Sequence, residues 1–245
     1  MTDDDSKTVN ASPVVSTTEN RVAPDLTETE TRLLDEDSAL ALLQRVDLQP
    51  DSIEKLSKNS IASQSRKVKL AIVKHPKSAR HVSLLLIRKL FTFDLMQVAL
   101  TPVVSGDLKM AAEEVLINRL ETISGGEKLS LARRASGRVA GALLLDSEPR
   151  IIAAALENPR LTEVVVTKAV LCDEASAALV KALCTHDKWS LRREIRIALL
   201  RNQHTPLDHA VEFAKSLTND VVREILQDSR LPENVRTLLA QSCEL

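Results

Sequence analysis

The sequence predicts an all-α fold, and three observations predict it. Leu, Ala and Val dominate an apolar fraction of 44%, while aromatic residues are 2% of the chain and Tyr is absent. Strands and enclosed pockets draw on aromatic bulk, whereas Leu and Ala suit closely approaching helices. Gly is also scarce, at 5 of 245 residues, which leaves little material for hairpin turns or phosphate-cradling loops.

Taken in order, residues 1–30 are rich in Thr, Ser, Asp, Glu and Val without a sustained helical period, and they predict a disordered acidic tail. A helical-repeat domain is expected over 31–245. Asp37 or Ser38 is placed to N-cap the apolar run Ala39–Val46. From there the pattern predicts helices over 38–46, 51–58, 63–74, 78–90, 93–100, 107–122, 127–135, 138–145 and 149–157. The series continues over 162–171, 174–184, 190–201, 206–217, 219–227 and 232–242. Breakers mark the joints: Pro50, Pro76, Pro102, Ser124-Gly125-Gly126, Ser147, Pro159, Pro206 and Pro232. Proline suits a first helical turn, where its missing N–H costs nothing, as at Pro149, Pro206 and Pro232. The joint at 124–126 is unlike the others and offers a point of subdivision.

The joints resemble one another. Leu156-Glu-Asn-Pro-Arg-Leu-Thr-Glu, Leu200-Arg-Asn-Gln-His-Thr-Pro-Leu and Leu226-Gln-Asp-Ser-Arg-Leu-Pro-Glu each end a helix on Leu. Two residues later comes Asn158, Asn202 or Asp228, and four further on Thr162, Pro206 or Pro232 starts the next helix. Asn and Asp tolerate the left-handed conformation that ends a helix, while Thr and Pro begin one. Looser copies occur at Ile72-Val-Lys-His-Pro-Lys-Ser-Ala and Leu43-Gln-Arg-Val-Asp-Leu-Gln-Pro. Units this small cannot bury their own apolar faces, so neighbours must stack to share a core.

This pattern resembles the α-solenoid families, HEAT and armadillo repeats, and most closely the leucine-rich repeat variant type, whose joints read L-x-N-P-x-T-P. The resemblance is best over about 130–242 and faint over 38–125. It implies an α-solenoid with an extended binding surface; the alternative is a single irregular helical bundle.

The net charge of −1 conceals an uneven distribution. Residues 1–60 carry 13 acidic and 6 basic residues; against totals of 34 and 33, residues 61–245 keep 21 and 27. An acidic front and a basic body attract anionic partners or each other. Three cysteines without a CxxC spacing predict neither a disulfide framework nor a zinc site. The acidic start is unlike a secretory signal, and no apolar run is long enough for a bilayer, so a cytoplasmic protein without membrane contact is expected.

The search for catalytic chemistry finds no constellation. There is no HExxH; His209 and Glu212 share a helix face, but such a pair is ordinarily solvated. His75 and His81 flank a helix start and are expected at the surface. Cys172 and Cys184 lie in apolar contexts and are expected as small hydrophobes, with Cys184 a poor nucleophile. Ser124-Gly-Gly-Glu-Lys lacks the spacing of a phosphate loop. No enzyme activity, metal or cofactor is expected. Trp189, the one Trp, is expected in the core.

Basic clusters remain. Residues 61–90 hold Arg66, Lys67, Lys69, Lys74, Lys77, Arg80, Arg88 and Lys89 with no acidic residue, and a second group comprises Lys188, Arg192, Arg193, Arg196 and Arg201. The candidate binding surface is Arg66, Lys67, Lys69, Lys74, Lys77, Arg80, Arg192, Arg193, Arg196 and Arg201. The expected function is a non-catalytic scaffold or adaptor holding another protein. The alternative is nucleic-acid binding through the clusters at 66–89 and 188–201, by neutralising phosphates. The ordinary role of such stems is to cover apolar helix surface while their heads stay hydrated.

Overall fold

The computed structural model describes residues 34–60 and 64–242. The predicted tail therefore lies outside the described residues. Fifteen helices form among those described, and each overlaps one of the fifteen predicted segments. They are α1 Glu36–Leu43, α2 Pro50–Lys58, α3 Arg66–Lys74, α4 Arg80–Ile87, α5 Thr92–Leu100, α6 Gly106–Asn118, α7 Gly125–Arg134 and α8 Gly137–Leu143. The rest are α9 Pro149–Leu156, α10 Glu163–Leu171, α11 Ala177–Cys184, α12 Arg193–Arg201, α13 Leu207–Lys215, α14 Asn219–Gln227 and α15 Glu233–Ser242. No strand occurs among the described residues, and no helix there is long and apolar enough to cross a membrane.

Local chemistry sets the boundaries. Asp35, Ser65 and Ser176 each accept a backbone N–H three residues on and so cap α1, α3 and α11. The glycine pair that superficially suggests a phosphate loop instead opens α7. Ser124 and Glu127 satisfy each other's backbone N–H groups in a capping box. Pro149 takes the first position of α9 as expected.

Packing follows the chain. The substantial helix contacts join each helix to the next or the next but one: α1 to α3, α3 to α5, α4 to α6, α6 to α8, α7 to α9, α8 to α10, α9 to α11, α10 to α12, α12 to α14 and α13 to α15. Apolar residues at helical spacing face these contacts. In α14, Val222 and Ile225 are buried while Arg223 and Glu224 face water. The central helices are enclosed more fully, and α9 buries Ile151, Ile152, Ala154, Ala155 and Leu156. One cluster of buried side chains runs from Ala39 to Leu239, with Trp189 and Phe213 among its largest members.

The joints are tied by buried side-chain hydrogen bonds. Asn158 is 1% exposed; its Nδ2 donates to the carbonyls of Ala132 and Ala135 at 2.7 and 3.2 Å, and its Oδ1 accepts the Arg160 N–H at 2.8 Å. Asn202 repeats this, donating to the Val170 carbonyl at 2.7 Å and accepting from the His204 N–H. His75 accepts the Lys77 N–H on Nδ1, which puts the proton on Nε2, 3.1 Å from the Arg45 carbonyl. Ser229 donates to the Leu200 carbonyl at 2.6 Å and accepts the Leu231 N–H. The Trp189 indole N–H reaches the Leu156 carbonyl at 3.0 Å. Asn158, Asn202, Ser229 and Trp189 satisfy helix-end carbonyls of earlier segments, groups that helix geometry leaves unbonded, and His75 reaches the Arg45 carbonyl in the turn after α1.

Two sequence expectations change here. His75 is buried rather than at the surface, because its ring serves the joint; His81 is exposed as expected. Asn202 ends its helix in extended and not left-handed backbone, with φ −92° and ψ 135°, and its side chain makes the tie. At the third joint the role falls to Ser229, one residue after the aligned Asp228, which is exposed.

Helices α8 and α10 approach closely. A Cβ on Gly137 would lie 2.4 Å from the Arg160 carbonyl oxygen, and one on Gly141 would lie 2.3 Å from Val165 Cγ1. The first obstacle is backbone and cannot turn away; the second is a side-chain methyl that can. Gly137→Ala is expected to destabilise by about 2 kcal/mol through overpacking. For Gly141→Ala, the helix-propensity gain of about 1 kcal/mol offsets a Val165 rotation, leaving stability nearly unchanged. Urea unfolding of the two variants side by side checks the contrast.

Candidate functional site

The candidate cations sit on two separate groups of helices. Arg66, Lys67, Lys69 and Lys74 belong to α3, Lys77 to the following turn and Arg80 to α4. Arg192 caps α12, which carries Arg193, Arg196 and Arg201. No substantial packing joins α3 or α4 to α12 among the described residues.

Most of these cations are held by neighbours in the fold. Arg66 makes a two-pronged contact with Asp94, 2.7 and 2.8 Å, and lies over the Phe91 ring. Lys67 pairs with Glu36 at 3.2 Å and Arg80 with Asp107 at 2.5 Å. In the second group Arg192 stands 3.9 Å from Glu163, and Arg193 pairs with Glu194 at 2.9 Å. Arg196 donates to the Ser190 carbonyl at 2.7 Å and covers the Phe213 ring. Lys69 and Lys74 are half-buried, and burial lowers the Lys74 pKa against the attraction of Asp94. Lys77 is exposed, and Arg201 is half-buried with its Nε out of hydrogen-bond reach of any described partner. Long stems covering apolar and aromatic surface are what this arrangement displays.

The residues suspected of chemistry are placed as structural groups. Cys184 is buried and its thiol is pushed up to about 11 by burial, with the Glu212 charge adding to the effect. It is therefore protonated at neutral pH. His209 Nδ1 lies 3.8 Å from Glu212, and its ring stacks on Phe213. Among the described residues no three His, Cys, Asp or Glu side chains converge to hold a metal ion. Trp189 is 2% exposed and in the core, with the Lys188 ammonium over its ring.

One concave feature among the described residues is one the sequence reading missed. A groove of about 620 Å³ runs between α8 and α10, lined by Gly141, Ala142, Leu145, Val165, Ala169 and Leu171. The exposed cations Arg138 and Lys168 also line it, and the half-buried Cys172 lies at the end of α10. Arg138 is engaged by Glu114 and stands 3.8 Å from Glu113; Lys168 makes no ion pair among the described residues. Val164, 76% exposed, shares an α10 face with Lys168 and Leu171. Small residues let the two helices approach, and the missing bulk leaves the groove open above them. The sequence signal was present as Gly137-x-x-x-Gly141 together with Val164, Lys168 and Leu171 at helical spacing.

Comparison with protein-family models, curated proteins and solved structures finds no significant match to this chain. The site therefore speaks through its own chemistry. Aliphatic lining with two cations suits an apolar segment that carries carboxylates.

Proposed function

We propose that this chain is a non-catalytic scaffold or adaptor, an α-solenoid of degenerate helix–turn–helix repeats that holds another protein in the α8/α10 groove. The solenoid reading is supported by substantial helix contacts that stay within two helices along the chain and by the five joint side chains, whose bonds reach back 23–33 residues. It fits the resemblance to HEAT-like and leucine-rich-variant repeats carried by the joint sequences. The observation that carries the function is the groove itself, an open apolar feature beside an exposed valine and a lysine with no ion pair among the described residues. A cytoplasmic setting suits three cysteines, one of them a buried, protonated thiol.

The test is affinity co-purification of the tagged full chain at low salt, with and without nuclease, beside a Val164→Glu variant. At an exposed position this substitution leaves the fold intact. The proposal expects a protein partner that survives nuclease and drops about tenfold with Val164→Glu, equivalent to about 1.4 kcal/mol. Capture of nucleic acid alone, insensitive to Val164→Glu and lost with Arg192→Ala and Arg196→Ala, would transfer the function to the basic clusters.

A further inference from the structure

Resting on the docking reading of the α8/α10 groove, we propose that the chain's own acidic residues 1–33 enter it, with Val14 and Val15 on the apolar floor, in competition with an outside partner. Three observations select this occupant.

Charge is the first. Residues 1–33 contain seven acidic and three basic side chains, and they face a groove whose Lys168 has no carboxylate partner among the described residues. Shape is the second. Pro13-Val14-Val15 is aliphatic, and the groove is open and lined by Gly141, Ala142, Leu145, Val165 and Ala169, an aliphatic surface that matches it. Reach is the third. The route from α1 to α10 runs through five packings, α1–α3, α3–α5, α5–α6, α6–α8 and α8–α10. At 8–10 Å each they amount to at most about 50 Å. Val15 lies 19 residues before Leu34, and an extended chain of that length spans about 65 Å. Val22, 12 residues before Leu34, spans about 40 Å, short of that upper limit, whereas Val14 and Val15 clear it.

A segment too poor in apolar residues to build a core of its own can still bury two valines on a preformed surface. Its covalent attachment raises its effective concentration there to the millimolar range. An outside partner then binds only by displacing it, and a change in the tail's charge tunes the competition.

The groove supplies its own probe. In a full-length Cys243→Ser background, Val15→Cys places a second thiol where it can meet Cys172, while Cys184 is buried. Dilute protein is oxidised with oxidised glutathione and the links are mapped by peptide mass. The expected product is a link within one chain between the introduced thiol and Cys172, reduced about fivefold by Lys168→Glu through like-charge repulsion. A link no more abundant than in urea, or one equally abundant with Lys168→Glu, would overturn the proposal. A link only between two chains would assign the groove to a second copy and overturn it too. A second reading uses N-ethylmaleimide on Cys172: neutralising Asp3, Asp4, Asp5 and Glu19 as Asn or Gln is expected to speed alkylation about fivefold, and an unchanged rate together with no link sinks the idea. A Val164→Glu-sensitive partner without the intramolecular link would keep the scaffold and remove self-docking. The link without any partner would do the reverse.

Discussion

Asn158→Asp is expected to destabilise the protein by about 3 kcal/mol at neutral pH, lowering the thermal midpoint by about 10 °C. The two side chains have nearly the same shape, so packing is unchanged and only the donor is lost. In the wild type Nδ2 serves two buried carbonyls, those of Ala132 and Ala135, while Oδ1 keeps the Arg160 N–H. A carboxylate retains the second role but turns an acceptor toward two acceptors, in a position 1% exposed. Burial raises the folded pKa of the new carboxyl above its unfolded value. The penalty is therefore complete above the folded pKa and shrinks as acidification returns a proton to the site. Melting curves at neutral and mildly acidic pH test both parts, and a neutral midpoint within about 2 °C of wild type would contradict the joint-bond account. Asp228→Ala, at the position the sequence aligns with Asn158, is expected to change stability by less than about 0.5 kcal/mol, because Ser229 makes the corresponding bonds.

Removing the ammonium at Lys128 has a comparable effect with its own pH signature. Lys128 on α7 meets Asp146, in the turn before α9, at 2.8 Å, and their side chains are 18% and 7% exposed. Burial raises the Asp146 pKa, but the Lys128 ammonium and the Glu148 N–H outweigh it and hold the carboxyl below its ordinary value. A depressed carboxylate stabilises the fold above its unfolded pKa near 4 and loses that contribution as pH falls through the folded value. Lys128→Met keeps the apolar stem and leaves Asp146 charged without its cation, the Glu148 N–H alone remaining. It is expected to cost about 3 kcal/mol at pH 7. The orphaned carboxyl titrates higher, so the gap between variant and wild type closes as pH falls through the carboxylate range. Chemical unfolding at pH 7 and near pH 4 reads the difference; a gap that widens on acidification would refute the pairing.

The helices were legible because their signals are local. Apolar spacing, capping Ser and Asp residues and joint prolines act within a few residues, and α1 to α15 each overlap a predicted segment. The joints were half legible. Leu-x-Asn marked the right places at Asn158 and Asn202, but the bonds that matter run to carbonyls 23–32 residues away, beyond any local pattern. For the same reason His75 read as a surface residue and Asp228 stood in for Ser229. Charge runs misled in the opposite sense. Residues 61–90 hold no acid, yet Arg66, Lys67 and Arg80 find Asp94, Glu36 and Asp107 on other segments. The groove was legible only as two separate patterns, Gly137-x-x-x-Gly141 and the spacing of Val164, Lys168 and Leu171, since it arises where Gly141 and Val165 meet from segments 24 residues apart.

The joint bonds have a direction. His75, Asn158, Trp189, Asn202 and Ser229 all donate backward, to carbonyls of residues that precede them. When such a chain leaves a ribosome, every acceptor has been synthesised before its donor arrives. Each new stretch of roughly thirty residues can lock onto a finished edge without waiting for the C-terminus, and contacts this short in sequence close quickly. A chain stopped early lacks only the joint donors of its missing part, so its last carbonyls face water while the joints upstream keep their bonds. Growth by accretion, one joint at a time, is built into the order of the residues.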